Sequence, residues 1–69
     1  MYTWESKYKV GQTLYVKNDK EQLPRHCISV NFMPFGVGYE LKHPQSGVEF
    51  YYEFEVQTDM DVEMKYVHN

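Results

Sequence analysis

The segment EFYYEFEV, residues 49–56, alternates between two kinds of side chain. In an extended chain, one face carries aromatic and aliphatic residues, namely Phe50, Tyr52, Phe54 and Val56. The other face carries mainly carboxylates, namely Glu49, Tyr51, Glu53 and Glu55. A period of two is typical of a strand with one face in the core and one in solvent. The pattern therefore predicts an antiparallel strand whose even-numbered residues are buried.

Three segments upstream follow the same rule. Each of TLYVKN, CISVNF and VGYELKH places its apolar residues on one face: Leu14 and Val16; Ile28, Val30 and Phe32; Val37, Tyr39 and Leu41. Clusters of Gly, Pro and polar residues separate them, as expected of turns. Short strands at short intervals predict a mainly β chain, folded as a small barrel or a curled antiparallel sheet.

The two ends of the chain extend this plan. Thr58, followed three residues later by Asp61, resembles a capping box, so we predict a short helical turn over residues 59–66 with Thr58 as its N-cap. Residues 1–7 precede the alternating pattern and are predicted to form an N-terminal arm or an extra edge strand. The whole chain, residues 1–69, is then one domain.

The order of the segments KYKVGQTLYVKN, GYEL and FYYEFEV resembles small SH3-like barrel domains of the kind found in uncharacterised phage and bacterial proteins. The resemblance covers roughly residues 8–58 and implies a five-stranded barrel. Such barrels host many functions, so the fold alone selects none. No ALYDY-type segment and no Trp at the start of a central strand are present, which argues against a receptor for proline-rich peptides.

Length and composition limit the stability of this chain. A domain of 69 residues buries only roughly 60% of the surface that its unfolded form exposes. Cys27 is the single cysteine, so an internal disulfide is excluded. Aromatic residues make up 17% of the chain and are expected to supply much of the core. Since a second copy would bury more surface, self-association into a homo-oligomer is a reasonable hypothesis.

The charge distribution favours a protein partner over nucleic acid. Residues 43–69 hold six acidic residues and one basic residue, within a net charge of −3 for the chain. Such a surface repels phosphate. Nucleic-acid binding is therefore an alternative hypothesis. It requires that the basic residues lie together on one face, namely Lys7, Lys9, Lys17, Lys20 and Arg25.

No set of residues indicates catalysis. Neighbouring strand residues point to opposite faces, so His26 cannot easily act as the base for Cys27. His26, His43 and His68 lack the spacing of a metal site, and Gly36-Val37-Gly38 lacks the helix and lysine of a phosphate loop. We predict a non-enzymatic protein without metal or cofactor. Without a signal peptide or membrane span in the sequence, we expect it in the cytoplasm, that of the host if a phage encodes it.

The preferred interpretation is a protein-binding module, such as a small phage-encoded inhibitor or adaptor that acts on a host protein. Exposed aromatic residues beside charges are typical of protein interfaces. Tyr51 lies among glutamates that would suit a basic partner, so the predicted binding residues are Tyr51, Glu49, Glu53, Glu55, Phe35 and Trp4. The first alternative is an oligomeric protein that sequesters a small ligand or nucleotide, and the second is the nucleic-acid-binding barrel.

Overall fold

The computed structural model describes residues 5–66, without the side chain of Tyr66. Within this range the chain is mainly β, as predicted. Five strands are followed by one short helix: β1 (Thr13–Val16), β2 (Arg25–Met33), β3 (Gly36–His43), β4 (Gly47–Tyr52), β5 (Val56–Gln57) and α1 (Val62–Tyr66). A 3-10 turn, Glu53–Glu55, separates β4 from β5. Residues 5–7 belong to no strand, and the remainder of the predicted arm lies outside the described residues.

The five strands form one antiparallel sheet in the order β4-β3-β2-β1-β5. Three of the four strand pairings join strands that are consecutive in the chain. In the fourth, β5 returns to pair with β1, where Val16 lies opposite Val56. The sheet is open within residues 5–66, with β4 at one edge and β5 at the other. Of the two predicted forms, the described residues therefore adopt the antiparallel sheet and not a closed barrel.

The core lies on one face of this sheet. It consists, among the described residues, of seven hydrophobic side chains: Tyr8, Leu14, Val16, Cys27, Tyr39, Leu41 and Val56. Val30, Val37 and Tyr51 pack against it. The predicted core positions on β1 and β3 are thus confirmed. Cys27 is buried and its neighbour His26 is exposed, so these two side chains point to opposite faces, as predicted.

The prediction for β4 was wrong about which face is buried. Tyr51 packs against the core, whereas Phe50 is 43% exposed and Phe54 is 72% exposed. The cause is the register with β3, which places Glu49 opposite Leu41 and Tyr51 opposite Tyr39. Residues directly opposite in an antiparallel pair share a face. Because Tyr39 and Leu41 face the core, Glu49 and Tyr51 must face it too.

The prediction for β2 failed in part, because the strand contains a bulge. The register with β3 shifts between Cys27 and Ser29, so Ile28 is an extra residue on its strand. Val30 still lies opposite Tyr39 and packs on the core, but Ile28 is 40% exposed. Phe32, near the end of the β2–β3 hairpin, is 44% exposed. The turn of that hairpin holds Gly36 at a φ of 140°, a positive value that glycine adopts without steric cost.

The helix near the C-terminus begins later than predicted and has a different cap. Asp61 Oδ1 accepts a hydrogen bond from Met64 N, which makes Asp61 the capping residue instead of Thr58. Gln22, fully buried at a φ of 49°, holds this segment. Its side chain donates to Val16 O and Asp19 O and accepts from Asp61 N. One amide group therefore joins the loop after β1 to the start of α1.

Candidate functional site

The face of the sheet opposite the core, called here the outer face, carries a row of aromatic residues, of which Phe50 and Phe54 are exposed and Tyr52 is half-buried. Phe50 and Tyr52 meet edge to face, with ring centroids 5.2 Å apart and planes at 87°. Tyr52 and Phe54 stack, with centroids 6.0 Å apart and planes at 6°. We call Phe50, Tyr52 and Phe54 the aromatic strip. It follows edge strand β4 and continues onto the 3-10 turn.

Gly38 on β3 provides the seat for this strip. It lies opposite Tyr52, and a Cβ atom at this position would overlap the ring of Phe50. The missing side chain leaves room for the end of the Phe50 ring next to the backbone of β3. On the same face, Glu40 lies opposite Phe50 and Lys42 lies opposite Val48, so the strip is bordered by charges of both signs.

Tyr51 lies on the core face, in a network centred on a buried arginine. Arg25 Nη1 donates to Glu49 Oε1 and to Tyr51 Oη, both at 2.6 Å, and Nη2 donates to Asp19 Oδ2 at 3.1 Å. Tyr51 Oη also donates to Glu49 Oε1 at 2.9 Å. The guanidinium carbon lies 5.3 Å from the centre of the Tyr51 ring. The predicted binding pair Tyr51 and Glu49 is thus joined to β2 and to the loop after β1.

These contacts change the pKa values of the network. Burial raises the pKa of Tyr51, the hydrogen bond to Glu49 raises it further, and the Arg25 charge partly opposes both effects. Burial also acts to raise the pKa of Asp19, but hydrogen bonds from the N–H groups of Leu23 and Glu21 and from Arg25 outweigh it, so that pKa is lowered. Asp19 is therefore an anion that anchors the loop, and Tyr51 is a neutral phenol at physiological pH.

Glu53 binds inside the molecule as well. Its Oε2 accepts a hydrogen bond from Tyr39 Oη at 2.6 Å and another from Lys7 N at 2.9 Å. Tyr39 Oη in turn accepts from Tyr8 N at 3.1 Å. Burial and the adjacent Glu53 carboxylate raise the pKa of Tyr39 to about 12. This chain of contacts fixes the segment before β1 against β3 and the 3-10 turn.

The other predicted binding residues are dispersed. Glu55 Oε1 accepts from Tyr52 N at 3.0 Å and so caps the 3-10 turn. Phe35 is 91% exposed at the tip of the β2–β3 hairpin. Trp4 lies outside the described residues. The glutamates at 49, 53 and 55, predicted to lie on a solvated face, are half-buried, and each accepts an intramolecular hydrogen bond. Whether any of these residues binds a partner stays a prediction.

The basic residues of the nucleic-acid alternative are divided between two environments. Arg25 is 6% exposed, and its guanidinium is paired with Asp19 and Glu49. Lys7, Lys9, Lys17 and Lys20 are exposed in the segments before and after β1, outside every strand. Lys7 Nζ lies 5.6 Å from the centre of the Tyr8 ring. The structure thus removes Arg25 from the group that could face a phosphate backbone.

Cys27 is a buried free cysteine. Burial raises the pKa of the Cys27 thiol, which donates weakly to Ser29 O at 3.6 Å. Residues 5–66 contain no cluster of three or more His, Cys, Asp and Glu side chains that could hold a metal ion. The surface of the described residues has no pocket. None of the helices in this part of the chain is long and apolar enough to cross a membrane.

Sequence reasoning missed the aromatic strip, although the signal was present. His43 pairs with Gly47 across the short turn that joins β3 to β4, and that pairing fixes every residue of β4 relative to β3. Had the faces of the two strands been assigned together, the buried Tyr39 would have placed Tyr51 inside and Phe50 outside.

The comparisons with known proteins found no match: no family model, no curated protein and no solved structure is significantly similar to this chain.

Proposed function

We propose that this chain is a non-enzymatic protein-binding module, and that its partner docks on the aromatic strip. The observation that carries the proposal is the position of Phe50, Tyr52 and Phe54 on the outer face, away from the core. Aromatic residues are enriched among the side chains that dominate binding energy at protein interfaces. A small domain has little apolar area for its core. Apolar residues that it leaves exposed in one patch therefore favour a binding role for that patch.

The surroundings of the strip favour a protein over a nucleic acid in this proposal. Stacking surfaces for single-stranded nucleic acid combine aromatic rings with a basic groove. Here Glu40 lies beside Phe50, and two glutamates flank Phe54 in the 3-10 turn. Of the outer-face neighbours described above, Lys42 alone is basic. Because Glu49, Glu53 and Glu55 are held by internal bonds, the partner's contribution in this proposal is an apolar surface and not a basic one.

The proposal is tested with two exposed phenylalanines of the same chain. Phe54→Ser changes the strip, and Phe35→Ser changes the hairpin tip, where the sequence also predicted a binding residue. Both side chains are mostly exposed, so both variants are expected to keep stability within about 1 kcal/mol of the wild type. Each immobilised protein is incubated with lysate of the native host, and the bound proteins are quantified by mass spectrometry.

We expect the wild type and Phe35→Ser to retain the same proteins, and Phe54→Ser to lose them by more than about tenfold. Full retention by Phe54→Ser, together with loss by Phe35→Ser, would move the interface to the hairpin tip. Retention by both variants would overturn the proposed role of the strip. Nuclease treatment of the lysate before binding separates direct protein contacts from capture through nucleic acid.

A further inference from the structure

The outer edge of β4 has few of the features that usually protect an edge strand. No strand pairs with this edge within the described range 5–66. Gly47–Tyr52 contains neither Pro nor Lys, and it pairs with β3 without a register shift from Gly47 to Tyr52. The opposite edge, β5, has only two residues. Long, regular edges with apolar side chains are templates for pairing with another chain.

We propose that a second copy of this chain pairs antiparallel with the edge of β4, with Phe50 opposite Phe50 of the second copy. This inference rests on the proposed function, because it names the partner of the same surface. Pairing about this residue places Val48 opposite Tyr52 of the second copy on the outer face. The two aromatic strips then form one continuous apolar row across a ten-stranded sheet, since each copy contributes five strands.

Charge selects this register over its neighbours. With Phe50 at the two-fold axis, Glu49 lies opposite Tyr51 of the second copy on the core face. A shift of two residues in one direction places Glu49 opposite Glu49, and a shift in the other direction places Glu49 opposite Glu53. Like charges directly opposite each other destabilise a strand pair. A shift of one residue sets the outer face of one copy against the core face of the other.

The inward-pointing Glu49 does not prevent this association. A charge that points inward on an edge strand is one of the devices that block pairing between sheets. In this chain Glu49 is held by Arg25 at 2.6 Å and accepts from Tyr51 at 2.9 Å, but Arg25 also pairs with Asp19, so the group keeps one negative charge. The proposed register sets this charge opposite Tyr51 of the second copy and not opposite another carboxylate.

The size of the surface predicts a weak dimer. Val48 is 50% exposed, Phe50 43% and Phe54 72%, which amounts to on the order of 300 Å² of side-chain surface per copy. Stable interfaces bury about 800 Å² per partner. In the proposed dimer, the paired backbone and Tyr52 add a further share to this side-chain surface. We expect a dissociation constant on the order of 10⁻⁵ to 10⁻⁴ M.

In the proposed dimer, residue 50 of one copy lies opposite residue 50 of the other, so a single substitution changes both sides of the contact. Phe50→Glu sets two carboxylates against each other at the axis, and Phe50→Lys sets two ammonium groups against each other. An equimolar mixture of the two variants sets glutamate against lysine. Sedimentation equilibrium of the wild type, each variant and the mixture is measured from about 10 μM to about 1 mM, around the expected dissociation constant. Phe35→Ser is the matched control, and circular dichroism verifies that each variant is folded.

We expect the wild type and Phe35→Ser to approach twice the monomer mass of 8.3 kDa at the highest concentration. Each charged variant is expected to stay monomeric, and the mixture to recover the dimer at least tenfold more strongly than either variant alone. A wild type that remains at 8.3 kDa, or a mixture that does not recover while both variants are folded, overturns the inference. If the wild type is monomeric but Phe54→Ser still loses its host partner, the proposed function stands and only the second copy is wrong.

Discussion

Individual polar side chains in this small protein act mainly as structural connections. The hydroxyl of Tyr39 joins three parts of the chain, because it accepts from Tyr8 N and donates to Glu53, whose carboxylate also accepts from Lys7 N. Tyr39 is fully buried. A buried hydroxyl that satisfies a carboxylate and a backbone N–H leaves both without that partner when it is removed. The contribution of this residue therefore depends on its proton as well as on its ring.

Tyr39→Phe is expected to lower the free energy of unfolding by about 1–3 kcal/mol at neutral pH. The native pKa of about 12 exceeds the unfolded value near 10, so the neutral phenol is favoured in the folded state. Its stabilisation is complete below about pH 10 and is lost as the pH rises from about 10 to about 12. Urea unfolding from pH 7 to pH 11.5 measures this loss.

In the wild type, the free energy of unfolding should fall steeply above about pH 10, and Tyr39→Phe should show a shallower slope. A smaller slope is expected to remain in the variant, because the pKa of Tyr51 is raised as well. Equal slopes in the two proteins would contradict the raised pKa of Tyr39, which burial causes first and the hydrogen bond to Glu53 second.

At the scale of elements, the β3–β4 hairpin determines which aromatic residues reach solvent. Gly38→Ala is expected to displace the Phe50 ring, since a Cβ atom at residue 38 would overlap it. We expect a cost of about 1 kcal/mol, because Phe50 is partly exposed and can move. In a Phe50→Ala background the same substitution should be neutral or stabilising, since glycine weakens a strand interior.

A double-mutant cycle measured by urea unfolding gives the coupling between these two positions. Equal effects of Gly38→Ala in both backgrounds would show that the ring does not lie over the glycine. A coupling of about 1 kcal/mol or more supports the described seat of the aromatic strip.

The elements themselves were predictable from sequence, but their faces were not always. Alternation located β1, β3 and β4, and the buried sides of β1 and β3 were assigned correctly. For β4, alternation predicts that the face with more aromatic residues is buried, whereas the register with Leu41 and Tyr39 places Glu49 and Tyr51 on the core face. A carboxylate on a core face is acceptable only because Arg25, distant in sequence, pairs with it. Alternation within one strand contains no information about such a partner.

The bulge at Ile28 shows a second limit of sequence patterns. An unbroken period of two predicted that Ile28 and Val30 share a face, and one extra residue removed Ile28 from it. Nothing in CISVNF marks the bulge, since its position depends on how β3 pairs with the strand. For the candidate site, the sequence identified segment 49–56 as the informative one; the structure buries Val56 as predicted but exposes Phe50 and Phe54, and the binding role of Tyr51 and the glutamates stays a prediction.

At the scale of the whole molecule, a small core coexists with apolar residues on the outer face. The described core holds seven hydrophobic side chains, while eight large hydrophobic residues in residues 5–66 are exposed, among them Val48, Phe50 and Phe54. A domain of this size has little stability to spare, so apolar area left outside is a cost unless another surface covers it. In the proposed dimer, the open edge of β4 and the aromatic strip belong to the same interface.

Strand β4 turns Tyr51 inward and the aromatic strip outward, and a pair of truncations measures this orientation. Urea unfolding at low protein concentration compares Tyr51→Ala with Phe54→Ala. Tyr51 packs on the core and bonds to Arg25 and Glu49, so its truncation is expected to cost about 2–4 kcal/mol. Phe54, at 72% exposure, is expected to cost less than about 1 kcal/mol. The reverse order, with Phe54→Ala more damaging than Tyr51→Ala, would contradict the account.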